Sequence, residues 1–362
     1  MEIPGHARWR DALPLGLGSR GAGERALPPP PNGRILPARD GGTRRARPVC
    51  GSRSGGPGGR GDPETPKEFR VYRVTAEQKA GSGMIDARQG GRYAEVSGVR
   101  IFYREAGDKG VPLVLLHGWT GHSFQWRKMI PALAGACRVY ALDLPGCGFS
   151  DKPDIRYTMK ELVDFVHGFV HKLNLAPFVL AGTSHGGFVA VRYGLDHPED
   201  VRGLVLLTSS GLKVKYPLVL RVCFLPVVRY LVPYLLLVPR DLKLWIRARV
   251  HPRTEWHRTL LADHVVATRS LRSWPGLRAA MRILTSITAA DLVDDRLGAI
   301  RCPTLVLWGD RDETLSPAMA EIFQKNIPDC RLRWLEGCGH NVPEERPDES
   351  ASLILQFVRE LT

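Results

Sequence analysis

From residue 93 onward, short apolar runs alternate with longer amphipathic stretches. Residues 93–96 and 100–104 alternate in polarity on either side of Ser97-Gly98, which predicts a β-hairpin. Gly, Pro or Asp borders one end of each of five apolar runs that follow, and such runs are typical of strands buried on both faces of a parallel sheet. These runs are 113–116, 139–142, 178–180, 204–207 and 305–308.

Amphipathic helices are predicted between these strands. The clearest is the stretch 157–173, which has apolar residues at spacings of three and four along one face. An alternation of strand and helix predicts an α/β fold with a mostly parallel, doubly wound sheet and right-handed crossovers. Ligands bind such sheets beyond the carboxyl ends of the strands, so the residues that follow each apolar run are the candidates for chemistry.

Ser184 is the candidate nucleophile. The segment Gly182-Thr183-Ser184-His185-Gly186 follows the run 178–180 and precedes a predicted helix, which is the strand–turn–helix context of a nucleophile elbow. Only small residues fit two positions on either side of the serine in so tight a turn. The backbone amide of His185 is expected to point at the same space as the serine hydroxyl.

A serine hydroxyl needs a base and an acid, and both are expected later in the chain. His340 lies in a glycine-flanked loop after the run 331–335, which favours a catalytic histidine over one packed in the core. Three acidic residues, Asp310, Asp312 and Glu313, share the loop after 305–308, and spacing alone does not choose among them. A second oxyanion donor is expected after 113–116, where His117-Gly118 precedes the amide of Trp119.

Together these motifs resemble the α/β-hydrolase superfamily over residues 93–362, in the subgroup with a helical cap inserted after the sixth strand. The motifs are His117-Gly118-Trp119, 143–150, the Ser184 elbow, 309–312 and Gly339-His340 with 345–347 beyond. The resemblance implies a Ser184-His340-Asp312 triad, since the family's acid is the last residue of Gly-x-x-Asp. It also implies oxyanion donors at Trp119 and His185 and no cofactor. Epoxide hydrolases and haloalkane dehalogenases carry Asp at the elbow, so Ser184 argues against both.

The resemblance divides the chain into a core (84–212 and 291–362), a helical cap (213–290) and a leader (1–83). The leader holds 13 Gly and nine Pro in its first 60 residues and is predicted to be disordered. A further hypothesis is that it is upstream sequence translated in error, with Met84 as the true start.

The formal net charge of +14 is unevenly distributed. Residues 1–60 contribute +7, residues 213–289 contribute +11, and the remainder sums to −4. The core is therefore slightly acidic, and nucleic acid is not an expected partner. Seven cysteines without a Cys-x-x-Cys pair indicate reduced thiols and a cytoplasmic location. No clustered Cys/His spacing appears, so no metal site is predicted.

The cap sequence contains a long apolar segment, 216–239, in which four prolines and two arginines argue against a membrane-spanning helix. Basic residues follow it from Arg240 to Arg253. Two interpretations remain: an ordinary buried helix pair, or an interfacial lid that makes peripheral contact with an anionic membrane.

An apolar, Trp-containing cap favours a small-molecule substrate with an acyl or aromatic ester. Hydrolysis of such an ester is the leading function. The alternatives are a carbon–carbon bond hydrolase or a cofactor-free perhydrolase with the same triad, and a non-catalytic binding protein of the same fold.

Overall fold

The structure, a computed structural model, describes residues 90–213 and 273–361. The predicted leader and most of the predicted cap, including the segment 216–253, lie outside the described residues. Eight strands are described. They are β1 Gly91–Val96, β2 Val99–Ala106, β3 Val111–Leu116, β4 Cys137–Leu142, β5 Phe178–Thr183, β6 Val201–Leu207, β7 Thr304–Gly309 and β8 Cys330–Leu335.

All eight strands form one sheet in the order β1-β2-β4-β3-β5-β6-β7-β8. The hairpin β1–β2 and the pair β2–β4 are antiparallel, whereas every pair from β4 through β3 to β8 is parallel. The predicted hairpin and the predicted mostly parallel sheet are therefore confirmed. β5 extends three residues beyond the apolar run, because the small residues 181–183 continue its pairing with β6.

Seven helices are described around the sheet. They are α1 Ile130–Leu133, α2 Met159–Lys172, α3 His185–Asp196, α4 Trp274–Ser286, α5 Ala318–Asn326, α6 Val342–Glu345 and α7 Pro347–Glu360. The prediction for α2 began two residues too early. Tyr157 has a left-handed φ of 59°, and Thr158 is the extended N-cap of a capping box with Glu161, so the helix begins at Met159.

Alternate residues of the central strands enter two apolar layers, one on each face of the sheet. Val114, Leu180 and Leu206 pack in the layer that includes buried residues of α2 and α3, while Leu115, Ala181 and Val205 pack in the layer that includes α7. A sheet covered on both faces explains why its strands are continuous apolar runs. In the central strands, polar groups are therefore found mainly at the strand ends.

α4 lies within the predicted cap and contacts the core. Arg278 and Arg282 both pair with Asp154, and Ser286 Oγ donates a hydrogen bond of 2.7 Å to the Tyr157 carbonyl. Trp274, its first residue, is 65% exposed. Within the described residues, no helix combines the length and the apolar character that crossing a membrane requires.

Candidate active site

Ser184 lies in the turn between β5 and α3, with a backbone φ of 53° and ψ of −118°. A non-glycine residue adopts this conformation only when its surroundings impose it. Flanking glycines make the turn possible: a Cβ on Gly182 would lie 2.3 Å from the Gly186 carbonyl oxygen, and one on Gly186 would lie 2.4 Å from the Leu116 carbonyl oxygen. The first turn of α3 therefore packs directly against the end of β3.

Ser184, His340 and Asp312 form one continuous hydrogen-bonded chain. The Ser184 Oγ lies 3.1 Å from His340 Nε2, and His340 Nδ1 lies 2.8 Å from Asp312 Oδ2. With its proton on Nδ1, the imidazole donates to the carboxylate and accepts from the serine hydroxyl. The Asp312 side chain is fully buried and that of His340 is 7% exposed, so little water screens this pair.

The structure distinguishes the acids of the loop after β7. Asp312 Oδ1 accepts hydrogen bonds from the backbone amides of Thr314 and Leu315, at 2.8 and 3.0 Å, which orients Oδ2 towards His340. Asp310 instead accepts a 3.3 Å bond from the Cys338 amide and lies 3.7 Å from the Arg311 guanidinium. Of the acids in this loop, Asp312 is the one that contacts His340.

The segment His117-Gly118-Trp119 follows β3 and lies against Ser184. A Cβ on Gly118 would lie 3.3 Å from Ser184 Cβ, so the backbone of this turn approaches the serine closely. The Trp119 indole donates a 2.9 Å hydrogen bond to the Ala280 carbonyl of α4. The amide of His185 begins α3, whose N-terminus carries partial positive charge.

Three buried histidines near this site, His117, His122 and His185, lie outside the hydrogen-bonded chain of Ser184, His340 and Asp312. Burial lowers the pKa of His185 to about 4 and that of His122 to about 4, and it also lowers the pKa of His117. His117 Nδ1 lies 2.7 Å from the Gly118 carbonyl, and its Nε2 accepts a 3.0 Å bond from the Leu144 amide. These contacts brace the loop that bears Trp119.

Comparison with known proteins identifies the fold family. A family model described as "alpha/beta hydrolase fold" matches residues 111–347. The chain belongs to the α/β-hydrolase family. Monoacylglycerol lipase ABHD6 of Mus musculus is 28% identical over 280 residues, which cover 74% of this chain and 82% of that protein.

Two further comparisons agree with this family. The 2-hydroxy-6-oxo-6-(2'-aminophenyl)hexa-2,4-dienoic acid hydrolase of Metapseudomonas resinovorans is 28% identical over 271 residues, covering 74% of this chain and 90% of that protein. The crystal structure of a membrane phospholipase A superposes with a TM-score of 0.65 at 26% identity, covering 75% of this chain and 86% of that chain. The expected α/β-hydrolase fold and the expected hydrolase class are both confirmed.

Sequence reasoning missed the residues of this α/β-hydrolase that hold the His340 loop. The buried Glu345 carboxylate accepts from the amides on both sides of His340, those of Gly339 at 2.8 Å and Asn341 at 3.1 Å. Thr208 Oγ1 donates a 3.0 Å bond to the His340 carbonyl. Glu345 lay within the quoted family motif, but no sequence pattern indicated its partners.

A second missed contact joins the two loops of the α/β-hydrolase site. Gln125 Oε1 accepts a 3.3 Å hydrogen bond from the Gly118 amide, and its Nε2 donates a 2.7 Å hydrogen bond to Asn341 Oδ1.

A separate group of side chains could hold a metal ion. Among the described residues, this group consists of His167, His197 and Asp200.

Proposed function

We propose that this chain hydrolyses carboxylic esters of apolar acyl or aromatic substrates, using Ser184 as nucleophile, His340 as general base and acid, and Asp312 as the orienting acid. The observation that carries the proposal is the unbroken chain from Ser184 Oγ to His340 Nε2 and from His340 Nδ1 to Asp312. The same geometry performs acyl transfer on several unrelated folds.

In the first step, His340 Nε2 takes the hydroxyl proton of Ser184 as Oγ bonds to the ester carbonyl carbon. The carbonyl π-electrons move onto oxygen and form a tetrahedral oxyanion. Asp312 stabilises the imidazolium that results and keeps its Nδ1–H directed at the carboxylate. Because the carboxylate is fully buried, its attraction to the imidazolium is stronger than it would be in water.

The amides of Trp119 and His185 are the proposed oxyanion donors. The close approach of the Gly118 backbone to Ser184, together with the position of His185 at the N-terminus of α3, supports this assignment. Loss of one such donor typically costs about 3–4 kcal/mol of transition-state stabilisation. The contacts that Gln125 and His117 make with this loop hold its backbone in place.

In the second half of the reaction, the ester C–O bond breaks and His340 Nε2–H protonates the departing alkoxide. Water then gives a proton to His340 and attacks the acyl-enzyme, and the collapse of the second oxyanion returns the proton to Ser184. Every step uses groups of this chain and water.

The proposed substrate class rests on the cap and on the relatives. The Trp119 indole joins the catalytic loop to the Ala280 carbonyl of α4, so the cap helix borders the site. The names of the relatives specify a monoacylglycerol lipase and a membrane phospholipase A, and both point to lipid esters.

Peripheral contact of the cap with an anionic membrane is part of the proposal. Flotation with anionic and neutral liposomes tests it, and binding to neither contradicts that part.

The main test combines a fluorophosphonate probe with p-nitrophenyl esters of increasing acyl length. Ser184→Ala is expected to abolish labelling and to reduce kcat by on the order of 10⁶-fold, as for other serine triads. A variant of an adjacent hydroxyl residue, Thr183→Ser, is the matched control and is expected to keep labelling. Labelling that persists in Ser184→Ala would refute the assignment, and so would an absence of labelling in the unaltered chain.

A second candidate is hydrolysis of a carbon–carbon bond in a ring-cleavage product. The similarity to the dienoic acid hydrolase of Metapseudomonas resinovorans is the observation that favours it. Both candidates require Ser184, so the substrate panel separates them. Turnover of a dienoic acid at a kcat/KM above that of every ester would favour carbon–carbon cleavage.

A further inference from the structure

Four polar side chains meet at the end of the sheet opposite to the triad. His167 and His171 lie one turn apart on α2, His197 is the C-cap of α3, and Asp200 immediately precedes β6. The triad lies beyond the other end of these strands, where Thr208 bonds to the His340 carbonyl. The seven residues of β6 separate the two ends by about 23 Å at ~3.3 Å per residue.

The group is close enough to share one ion. One ligand atom from each of His167, His197 and Asp200 lies within 4.8 Å of the others. Nδ1 of His167 is already 3.3 Å from Asp200 Oδ2, and the rings of His167 and His197 stack with centroids 4.0 Å apart. Ligands in a tetrahedral site with bonds near 2.1 Å are about 3.4 Å apart. Closing the remaining separation requires the stacked rings of His167 and His197 to rotate until one nitrogen of each points at the shared ion.

The charges around the group favour a cation. Asp200 has a side chain only 7% exposed, and such a carboxylate requires compensation. The hydroxyl of the buried Tyr193 donates a 2.7 Å hydrogen bond to Asp200 Oδ2, and His171 Nε2 lies 3.0 Å from the same oxygen. Such partners orient a carboxylate in the way that outer-shell groups do in metal sites.

The group is accessible from solvent. The side chain of His167 is 37% exposed, which leaves a path by which an ion can enter.

We propose that His167, His197 and Asp200 bind one divalent transition-metal ion, with Zn²⁺ as the best match to two imidazoles and a carboxylate. A water or the adjacent His171 completes the coordination. The group lies at the opposite end of the strands from Ser184. The ion therefore holds α2, α3 and the start of β6 together and takes no part in hydrolysis. The inference is independent of the proposed function.

The test uses the full chain after removal of metals with EDTA, and the probe is Zn²⁺ alone. Calorimetry is expected to find one tight site, and the thermal midpoint is expected to rise as Zn²⁺ is added. Co²⁺ is expected to give the visible bands of tetrahedral coordination. Losing an outer-shell group typically costs about 10- to 100-fold in metal affinity, so His197→Asn should cost at least about 100-fold. His167→Asn is expected to behave alike.

His340→Asn is the matched control, because it removes the histidine of the other buried His–Asp pair. It is expected to keep the Zn²⁺ affinity and the Co²⁺ spectrum. Each variant is compared with itself in EDTA, so a change in stability alone does not imitate metal binding. The proposal is overturned if Zn²⁺ does not bind the unaltered chain. It is equally overturned if the affinity survives in both His167→Asn and His197→Asn, which would assign the ion to other residues.

Discussion

Two histidine–aspartate groups lie at opposite ends of the same strands and differ in what surrounds them. His340 meets one fully buried carboxylate and one serine hydroxyl. Asp200 instead meets a tyrosine hydroxyl and two partly exposed histidines, with a third stacked on one of them. The first group places a carboxylate, an imidazole and a hydroxyl in a line. The second converges on a single oxygen.

The two groups use similar residue types, and the chemistry proposed for each follows from its arrangement. A linear chain moves a proton from one end to the other, because each ring nitrogen has a single partner. The convergent group offers no directed path for a proton. Its three ligand atoms instead lie within 4.8 Å of one another, which suits a shared ion. The two groups also differ in burial. The fully buried Asp312 side chain strengthens its electrostatic attraction to His340, whereas the partly exposed His167 gives an ion a path from solvent.

Among the variants that keep Ser184, the largest expected effect comes from changing the acid of the linear chain. Asp312→Asn keeps the shape of the side chain but replaces the carboxylate that accepts from His340 Nδ1. We expect kcat for a p-nitrophenyl ester to fall by about 10⁴-fold, because the neutral amide neither holds the correct tautomer nor stabilises the imidazolium. Steady-state kinetics with KM measured separately will show whether the loss is in kcat.

Two matched variants make this prediction sharper. Asp310→Asn changes the other aspartate of the same loop, which bonds to the Cys338 amide, and is expected to leave kcat nearly unaltered. Asp200→Asn changes the convergent group and is expected to weaken Zn²⁺ binding without a comparable loss of kcat. If Asp310→Asn and Asp312→Asn were equally inactive, Asp312 would have no special role as the orienting acid.

Lowering the pH is expected to have a smaller effect, on the free energy of unfolding. His122 and His185 have pKa values near 4 in the folded protein because they are buried, whereas an unfolded histidine has a pKa near 6.5. Between these values the unfolded chain binds protons that the folded chain does not, so the free energy of unfolding falls as the pH drops from about 6.5 to 4. The loss is on the order of 3 kcal/mol per histidine.

Denaturant unfolding at several pH values measures this loss. The double variant His122→Asn, His185→Gln is expected to unfold with a weaker dependence on pH over the same interval, since neither amide titrates there. More than about one pH unit above 6.5, both histidines are almost entirely neutral in either state, and their titration then contributes little. An unaltered slope in the double variant would show that other groups cause the acid sensitivity.

The two groups also differ in how far the sequence predicts them. Ser184 was predictable because its turn is specified by residues only two positions away, and the steric reason lies in the same five residues. His340 and Asp312 were predictable because each follows its own strand, although choosing Asp312 over Asp310 required the family resemblance. The convergent group brings together residues from α2, α3 and the start of β6, and its partners are separated by about thirty positions.

The spacing of His167 and His171, one helical turn apart, was the only local sign of this second group. That sign does not identify His197 or Asp200, because the packing of α2 on α3 decides which residues meet it. The two amide bonds of Glu345 depend in the same way on how the loop after β8 folds back on α6. Strands and motifs are local, whereas these contacts are products of tertiary packing.

The smallest of these effects concerns the support of the linear chain by Glu345. Glu345→Gln replaces one of the two oxygens that accept from the amides flanking His340 with an amino group, which cannot accept. The loop is then expected to shift slightly, and a displacement of about 1 Å can cost up to about 100-fold in rate. We expect about a tenfold loss in kcat with little change in KM, which is the signature of a positioning residue.

Glu344→Gln is the control for this prediction. Glu344 is similarly buried and adjacent in sequence, but its carboxylate pairs with Arg127 and Lys128. It is expected to lower the thermal midpoint without lowering kcat. An equal loss of kcat in both variants would mean that α6 supports the site only through its general stability. A loss confined to Glu345→Gln would show that the two amide bonds themselves keep the imidazole aligned between Ser184 and Asp312.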